Sequence, residues 1–229
     1  MIDFKVARLR SKMQAYRRMI DQANKIIDDG LLACPDAYVA CSFGKDSLVM
    51  LDLVMRVNPA VQAGFIKWQE SDLMYNFSEV EQKWAERGAN IHTLHMTRTS
   101  LDERVDDRFE QLANISAAHG SFVGLRAEES KGRRMTLRSN GVVYKSKKGF
   151  WRICPLAWWS TEDIAAYVYE NDLPMLDIYK TDGFEQRTAS RVPRNDYFIR
   201  QEMLQKLRMR DPLSFQKLEQ LYPEVSEYV

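Results

Sequence analysis

The stretch Cys41-Ser42-Phe43-Gly44-Lys45-Asp46-Ser47 joins two apolar runs that have different periods. Residues 38–41 before it form a short and partly β-branched run, which is typical of a buried strand. Residues 48–55 after it carry apolar side chains at helical spacing, which predicts a helix. A strand that turns directly into a helix points several backbone N–H groups, and the positive end of the helix, at one place. We therefore expect an anion site here, and such a site most often binds phosphate.

The loop lacks the spacing of a Walker A motif, because an aspartate separates its lysine from the following serine. It resembles the PP-loop of the ATP pyrophosphatases, Ser-Gly-Gly-x-Asp-Ser. The positions that match are Ser42, Gly44, Asp46 and Ser47. Phe43 replaces the first glycine of that pattern and stays within the expected nucleotide-binding loop.

The variant Ser-Phe-Gly-Lys-Asp-Ser resembles the branch that includes phosphoadenylyl-sulfate (PAPS) reductases and the small subunit of ATP sulfurylase. The resemblance implies that Ser42, Gly44 and Ser47 hold the pyrophosphate of ATP. Lys45 would neutralise its charge, and Asp46 would orient the loop or bind Mg²⁺. The alternative is a polar strand-to-helix turn without a ligand.

Strands and helices alternate through the middle of the chain. Strands are predicted at 38–41, 63–68, 91–96 and 121–123, helices at 48–57, 71–87, 101–118 and from 161, and a β-hairpin over 142–154. This order predicts a parallel sheet whose ligands bind beyond the carboxyl ends of the strands. With the resemblance, it implies an α/β, Rossmann-like adenine nucleotide alpha hydrolase fold with helices on both faces and a small hairpin insertion.

We expect one PP-loop domain over residues 1–229. A helix over 4–29, ended by Asp29-Gly30, precedes a nucleotide-binding core over 36–180. An arginine-rich loop and helices over 197–210 and 212–221 complete the region 181–229.

Two further segments resemble the same family. Gly124, Arg126, Glu129 and Ser130 match its Gly-x-Arg-x-x-Glu-Ser segment, which lies beside the nucleotide. An arginine there can hold a phosphate with two parallel hydrogen bonds. The alternative is a surface salt bridge from Arg126 to Glu129, or a hydrogen bond to Ser130. Residues 155–179 contain the third matching segment, which ends in Leu-Pro and a tyrosine.

Basic residues are concentrated in two places. Residues 131–148 contain seven lysines and arginines and no acidic residue, among them Arg133, Arg134 and Arg138. They predict either contact with a polyanion such as DNA or a mobile, solvated loop. Arg187 and Arg191 lie in the later loop, where they could close over the site and bind a phosphate.

Cys34, Cys41 and Cys154 have no paired spacing, so we expect neither disulfides nor an iron–sulfur cluster. Cys154 ends the predicted hairpin and is either a persulfide carrier or an inert buried thiol. The Glu-Cys-Gly-x-His motif that carries the catalytic cysteine of PAPS reductases is not found in the sequence. Reduction by such a thiol is therefore not expected.

Composition limits the remaining function classes. The net charge of +1 gives no overall attraction to nucleic acid, so any basic surface must be local. No apolar run is long enough to span a membrane and no signal-peptide core begins the sequence, so we expect a cytoplasmic protein without a membrane partner. His92 and His95 lie three apart on a predicted strand and face opposite sides, which disfavours a shared metal.

The resemblance implies an ATP pyrophosphatase that forms AMP and pyrophosphate with ATP and Mg²⁺. It would adenylylate an oxyanion for sulfur incorporation. In this it resembles the activating enzymes of DNA phosphorothioation, whose acceptor is a DNA backbone phosphate. The partners would be DNA and a cysteine desulfurase or another sulfur-transfer protein, and a homodimer is compatible with the sequence. The alternatives are a sulfate adenylyltransferase-like or PAPS reductase-related enzyme and a non-catalytic nucleotide-binding module.

Overall fold

A mostly parallel sheet forms the centre of the computed structural model, which describes residues 4–105, 107–194 and 196–228. Its strands are β1 (Tyr38–Ala40), β2 (Gln62–Trp68), β3 (Asn90–Met96), β4 (Gly120–Phe122), β5 (Val143–Lys145) and β6 (Trp151–Ile153). The strand order is β3-β2-β1-β4-β6-β5, and only β5 runs antiparallel to its neighbour among these strands. The order reverses at β1, which opens a crevice beyond the carboxyl ends of β1 and β4.

Helices surround the sheet and extend beyond it. They are α1 (Phe4–Ser11), α2 (Gln14–Ala33), α3 (Lys45–Val57), α4 (Ser71–Met74), α5 (Phe77–Glu86), α6 (Arg108–Ile115), α7 (Lys131–Asn140), α8 (Thr161–Asn171), α9 (Ile178–Thr181), α10 (Tyr197–Arg210) and α11 (Pro212–Leu221). Short 3₁₀ helices lie at Ala127–Glu129 and Pro223–Tyr228. Within the described ranges, no helix is both long and apolar enough to cross a membrane. The α/β class and the mostly parallel sheet predicted from the sequence are confirmed.

The first predicted helix, over 4–29, is wrong in two respects. The chain is extended at Met13, which separates α1 from α2. Gly30 lies inside α2 and does not end it. A Cβ atom on Gly30 would come within 2.6 Å of the Ile153 side chain, so this glycine serves close packing of α2 on β6.

Two other predicted helices are shorter than their apolar patterns suggested. The helix over 71–87 is interrupted because Tyr75 is extended and ends α4. The helix over 101–118 is reduced to α6, which begins after Asp107 in the left-handed region, at φ 57°. Leu101 and Leu112 belong to different cores, so their helical spacing was coincidental.

Two of the four apolar cores formed by the described residues position the site. The larger lies between the sheet and helices such as α2, α3, α5 and α8. The smaller joins the carboxyl-terminal helices to α4 and to the segment near residue 192. Its buried members are Met74, Leu101, Val192, Leu204, Leu207, Phe215, Leu218, Tyr222 and Val225. The carboxyl-terminal region is therefore packed against the carboxyl edge of the sheet.

The predicted hairpin is present as β5 and β6. Val143 lies opposite Ile153 in its antiparallel ladder. β6 also pairs in parallel with β4, where Phe122 lies opposite Ile153. The hairpin therefore forms one edge of the central sheet.

Candidate functional site

The turn between β1 and α3 depends on an unusual backbone at Phe43. Its φ of 55° lies in the left-handed region, where a side chain costs about 1–2 kcal/mol. The side chain is fully buried, and its ring packs edge-on against Phe65 at 4.7 Å. Burial of such a ring contributes about 1.5–3 kcal/mol, which offsets the backbone cost. Phe43 thus anchors the loop to the core through its buried ring.

Ser42 and Ser47 of the loop are linked by hydrogen bonds. Ser42 N–H donates to Ser47 Oγ at 3.2 Å, and the two hydroxyl oxygens lie 3.3 Å apart. Ser47 Oγ also donates to the Gly44 carbonyl at 2.9 Å. The first intrahelical bond of α3 runs from Leu48 N–H to Gly44 O, so the amides of residues 45–47 face outward from the helix start. The positive end of α3 therefore faces the crevice.

Lys45 is buried at the first position of α3, with 6% of its surface exposed. Its Nζ donates to the Gln186 carbonyl at 3.2 Å and lies 3.8 Å from an Asp46 carboxylate oxygen. Its backbone N–H donates to the Tyr179 hydroxyl at 3.0 Å. Burial, together with the charges of Arg126 and Arg187, lowers the pKa of Lys45, and Asp46 opposes that shift. A nearby anion would therefore stabilise the charged form of this lysine.

Arg126 links the start of α3 to the turn after β4. Its Nε lies 2.7 Å from Asp46 Oδ1, although neither of these buried atoms has a well-aligned hydrogen bond. Its other nitrogens reach Glu128 Oε2 at 2.7 Å and Thr161 Oγ1 at 3.3 Å. The alternative of a surface salt bridge to Glu129 is wrong, because Arg126 is 3% exposed and Glu129 pairs with Arg133 instead.

Gly124 allows β4 to approach the loop closely. A Cβ atom there would lie 3.4 Å from the Ser47 amide nitrogen and from the Asp46 side chain. The strand end and the helix start are therefore held in direct contact across the crevice.

These groups line one cleft of about 510 Å³. Its predicted members are Ser42, Gly44, Lys45, Asp46, Ser47, Gly124, Arg126, Glu129, Arg133 and Arg187. The cleft also contains residues that were not predicted as site residues, namely Glu128, Thr161, Tyr179, Glu185 and Thr188. Desolvation and the charge of Arg187 lower the pKa of Arg133, as expected where cations crowd together. Tyr179 follows the Leu-Pro of the third family segment, and that was the available sequence signal for it.

The other predicted site residues lie outside this cleft. Phe43 is in the core, and Arg134 and Arg138 are exposed on α7. Residues 131–140 form α7 and the predicted hairpin follows, so the alternative of a mobile, solvated loop is wrong for residues 131–140. Arg191 lies over the Trp68 ring, 5.1 Å from its centroid. Cys154 is fully buried, and burial raises its pKa to about 12, which argues against a persulfide carrier.

Two further cavities adjoin the cleft. One of about 250 Å³ lies on the other side of the loop and shares Ala40 and Ser42 with the cleft. Its lining includes Phe65, Trp68 and Leu112. Another of about 520 Å³ lies towards α10 and shares residues of the segment 185–188 with the cleft. The described part of the chain contains no cluster of three or more metal-ligating side chains.

Comparisons with known proteins show which family this chain resembles. The model of the phosphoadenosine phosphosulfate reductase domain matches residues 36–186, more than half of the chain. The chain is 28% identical over 158 residues to the adenosine 5'-phosphosulfate reductase of Bacillus anthracis, and 24% identical over 165 residues to that of Staphylococcus epidermidis. These alignments cover 59% and 63% of this chain and 66% and 65% of the relatives. The match therefore spans just under two thirds of the relatives' length.

Solved structures share the fold at low identity. The PAPS reductase of Candida auris in a phosphate complex has a TM-score of 0.54 at 18% identity, and covers 77% of this chain and 94% of its own. The FMN adenylyltransferase of Candida glabrata, in complex with FAD and inorganic pyrophosphate, has a TM-score of 0.54 at 15% identity, with 77% and 66% covered. They support the predicted adenine nucleotide alpha hydrolase-like fold. Because the family model spans both the β1–α3 loop and the turn after β4, the chain belongs to the phosphoadenosine phosphosulfate reductase domain family.

Proposed function

We propose that this chain is an ATP pyrophosphatase that adenylylates an oxyanion for sulfur incorporation, with a DNA backbone phosphate as the preferred acceptor. The observation that carries the proposal is the meeting of one helix start and four cationic side chains in a single cleft. The cations are Lys45, Arg126, Arg133 and Arg187. A polyphosphate supplies the negative charge that such a group attracts.

The neighbouring 250 Å³ cavity supports a nucleoside beside the polyphosphate. Phe65, Trp68 and Phe109 contribute aromatic surface, and the cavity meets the cleft at Ser42. A base bound there would leave its phosphates directed towards the start of α3. Arg191, which lies over Trp68, would stand at the boundary between base and acceptor.

The reaction needs charge neutralisation and alignment more than covalent help from the protein. An acceptor oxygen would attack the α-phosphorus and form a new P–O bond. The bond from that phosphorus to the bridging oxygen would break, and its electron pair would leave with pyrophosphate. Lys45 and Arg126 would neutralise the charge that develops on the leaving group.

Asp46 is the residue that would hold Mg²⁺. Its Oδ1 is buried without an aligned hydrogen bond, and one carboxylate together with substrate phosphates is a common way of binding this ion. Mg²⁺ would neutralise phosphate charge in the cleft. Arg126 Nε, 2.7 Å from Oδ1, would have to share this oxygen or give it up.

A basic surface beside the cleft supports DNA as the acceptor. Arg133 lines the cleft, and the exposed face of α7 continues outward with Arg134 and Arg138. Lys145 and the lysines of the adjoining turn lie at the amino ends of β4 and β6, on the opposite edge of the sheet, so this surface consists of α7 alone. Phosphates bound along it would lead the backbone towards the loop at the start of α3.

A sulfur-assimilation enzyme is the second candidate. The curated relatives are named adenosine 5'-phosphosulfate reductases, and a sulfated nucleotide would need the same anion-binding groups. The burial of Cys154 disfavours reduction by that thiol and so favours the first proposal.

The test is release of AMP and pyrophosphate from ATP with DNA, with sulfate or with neither acceptor. We expect DNA-stimulated release that falls by about 100-fold or more in Lys45→Ala and Asp46→Ala. The matched control is Lys83→Ala, an exposed lysine on α5, which should behave as the unaltered protein.

Other outcomes of the same assay identify the competing functions. Release that depends on sulfate and ignores DNA would contradict the DNA acceptor. Binding of adenosine 5'-phosphosulfate without ATP turnover would favour the second candidate. ATP binding without any turnover would indicate a nucleotide-binding module, and turnover that survives both loop substitutions would refute the role given to the loop.

A further inference from the structure

Both polar groups of Lys45 are held by one short segment of the chain. The backbone N–H donates to the Tyr179 hydroxyl at 3.0 Å, and Nζ donates to the Gln186 carbonyl at 3.2 Å. The ammonium also lies 5.6 Å from the Tyr179 ring centroid. The Tyr179 hydroxyl is 2.9 Å from Thr188 Oγ1, so it ties the start of α3 to the segment that follows.

These are the groups that a phosphate at the start of α3 would use. The Lys45 amide is one of the outward-facing donors of the first turn, and its ammonium is the nearest cation on the loop. A hydroxyl oxygen at 3.0 Å occupies the position where an anionic oxygen would accept the same N–H bond. Burial raises the pKa of Tyr179 to about 12, so the hydroxyl is a neutral acceptor and a weaker one than phosphate.

Residues 182–194 form a strap between two cavities. Side chains of Glu185, Arg187 and Thr188 line both the 510 Å³ cleft and the 520 Å³ cavity. The strap is thus a shared wall, and its middle part is attached to α3 through Lys45 and Tyr179.

The later part of the strap has separate anchors. Ser71 Oγ donates to the Ser190 carbonyl at 2.5 Å, and the buried Arg98 donates to the Val192 carbonyl at 3.2 Å. If residues 185–188 were released, residues 190–193 would stay attached. The released residues would then move relative to this fixed part of the strap.

We infer that Tyr179 is a positioning residue whose hydroxyl occupies the site of a phosphate oxygen at the Lys45 amide. A bound polyphosphate displaces this hydroxyl and thereby releases residues 185–188 of the strap. The inference rests on the proposed function, since ATP supplies the polyphosphate. Its consequence is that nucleotide binding loosens the wall shared by the cleft and the 520 Å³ cavity. The second substrate would then be admitted after ATP.

Pyrophosphate binding to Tyr179→Phe is the first test, measured by titration calorimetry on the full chain. Because the substitution removes a competing acceptor, we expect binding about fivefold tighter, which corresponds to about 1 kcal/mol. The matched control is Tyr167→Phe, which removes another buried tyrosine hydroxyl, one that donates to Asp52 outside the cleft. Its pyrophosphate affinity should equal that of the unaltered protein. Equal or weaker binding by Tyr179→Phe, with the control unchanged, would overturn the inference.

Amide hydrogen exchange of the unaltered protein is the second test and needs no variant. We expect pyrophosphate to speed exchange across 185–189, whereas a ligand that merely fills the cleft would slow it. In Tyr179→Phe the same amides should exchange faster already before pyrophosphate is added. Slower exchange with pyrophosphate would overturn the inference while leaving the proposed function standing. Failure of the unaltered protein to bind either pyrophosphate or ATP would overturn both.

Discussion

Phe43 illustrates how a single residue can satisfy a turn that usually takes glycine. The sequence identified it as a departure from the family loop, but its backbone angle and its contact with Phe65 could not be read from the pattern. The left-handed conformation favours glycine, while the buried ring favours phenylalanine. These preferences oppose each other at one position, so substitutions can separate them.

We expect Phe43→Ala to destabilise the fold by about 3–5 kcal/mol, because it loses the ring and keeps the backbone cost. Phe43→Gly should cost about 1 kcal/mol less, because glycine accepts the positive φ. Urea unfolding of both variants gives the comparison. A glycine variant less stable than the alanine variant would contradict the role assigned to the backbone.

The residues of the cleft were predictable where they belong to a local motif. Residues 42–47 share one turn, and Gly124 and Arg126 share another, so sequence spacing sufficed. Tyr179 and Gln186 reach Lys45 from 134 and 141 residues away. Such contacts depend on how α9 and the strap fold back over the sheet, which no local pattern specifies.

At the scale of elements, local chemistry predicted helix starts better than helix lengths. α8 begins as expected, with Ser160 Oγ accepting Asp163 N–H at 3.1 Å and an Asp163 carboxylate oxygen accepting Ser160 N–H at 2.9 Å. α10 and α11 also have the predicted bounds. The predictions of single helices over 4–29, 71–87 and 101–118 missed a break in each, because apolar spacing reveals neither the extended residue at Met13 nor which core a side chain joins.

The cap of α8 yields a prediction at this scale. Ser160→Ala should destabilise the protein by about 1 kcal/mol, since it removes the acceptor for the Asp163 amide. Asp163 also receives a hydrogen bond from Arg10 of α1 at 2.8 Å, so loosening the cap also weakens the packing of α1. Thermal or urea unfolding measures the loss. Ser139→Ala, at an exposed position of α7, is the control, and a loss of the same size there would refute the capping explanation.

At the scale of the whole molecule, a buried charge network joins the carboxyl-terminal helices to the sheet. The side chains of Glu70 and Arg98 are fully buried and paired with each other. The Tyr222 hydroxyl donates to Glu70 Oε2 at 2.9 Å, and Arg98 also donates to the Leu101 carbonyl at 2.8 Å. Because Arg98 also donates to the Val192 carbonyl, the same network holds both the smaller core and the strap.

Breaking this pair should be far more costly than replacing it. We expect Glu70→Leu to destabilise the full chain by about 3–5 kcal/mol, because it leaves Arg98 buried without a counter-charge. The double variant Glu70→Leu with Arg98→Leu should lose less than the sum of the two single variants. Urea unfolding of all three variants completes the cycle. Additive losses would mean that the two side chains act independently.

The position of β5 at the sheet edge has a consequence for how molecules of this protein meet one another. An unpaired edge strand can recruit the edge of a second molecule, and short strands with lysines resist such pairing. β5 has three residues, ends at the exposed Lys145, and is followed by the exposed Lys147 and Lys148. These lysines would therefore protect the exposed edge against pairing with a second molecule, on the side of the sheet away from the cleft. Changing them to glutamate would keep this protection, whereas changing them to valine would remove it.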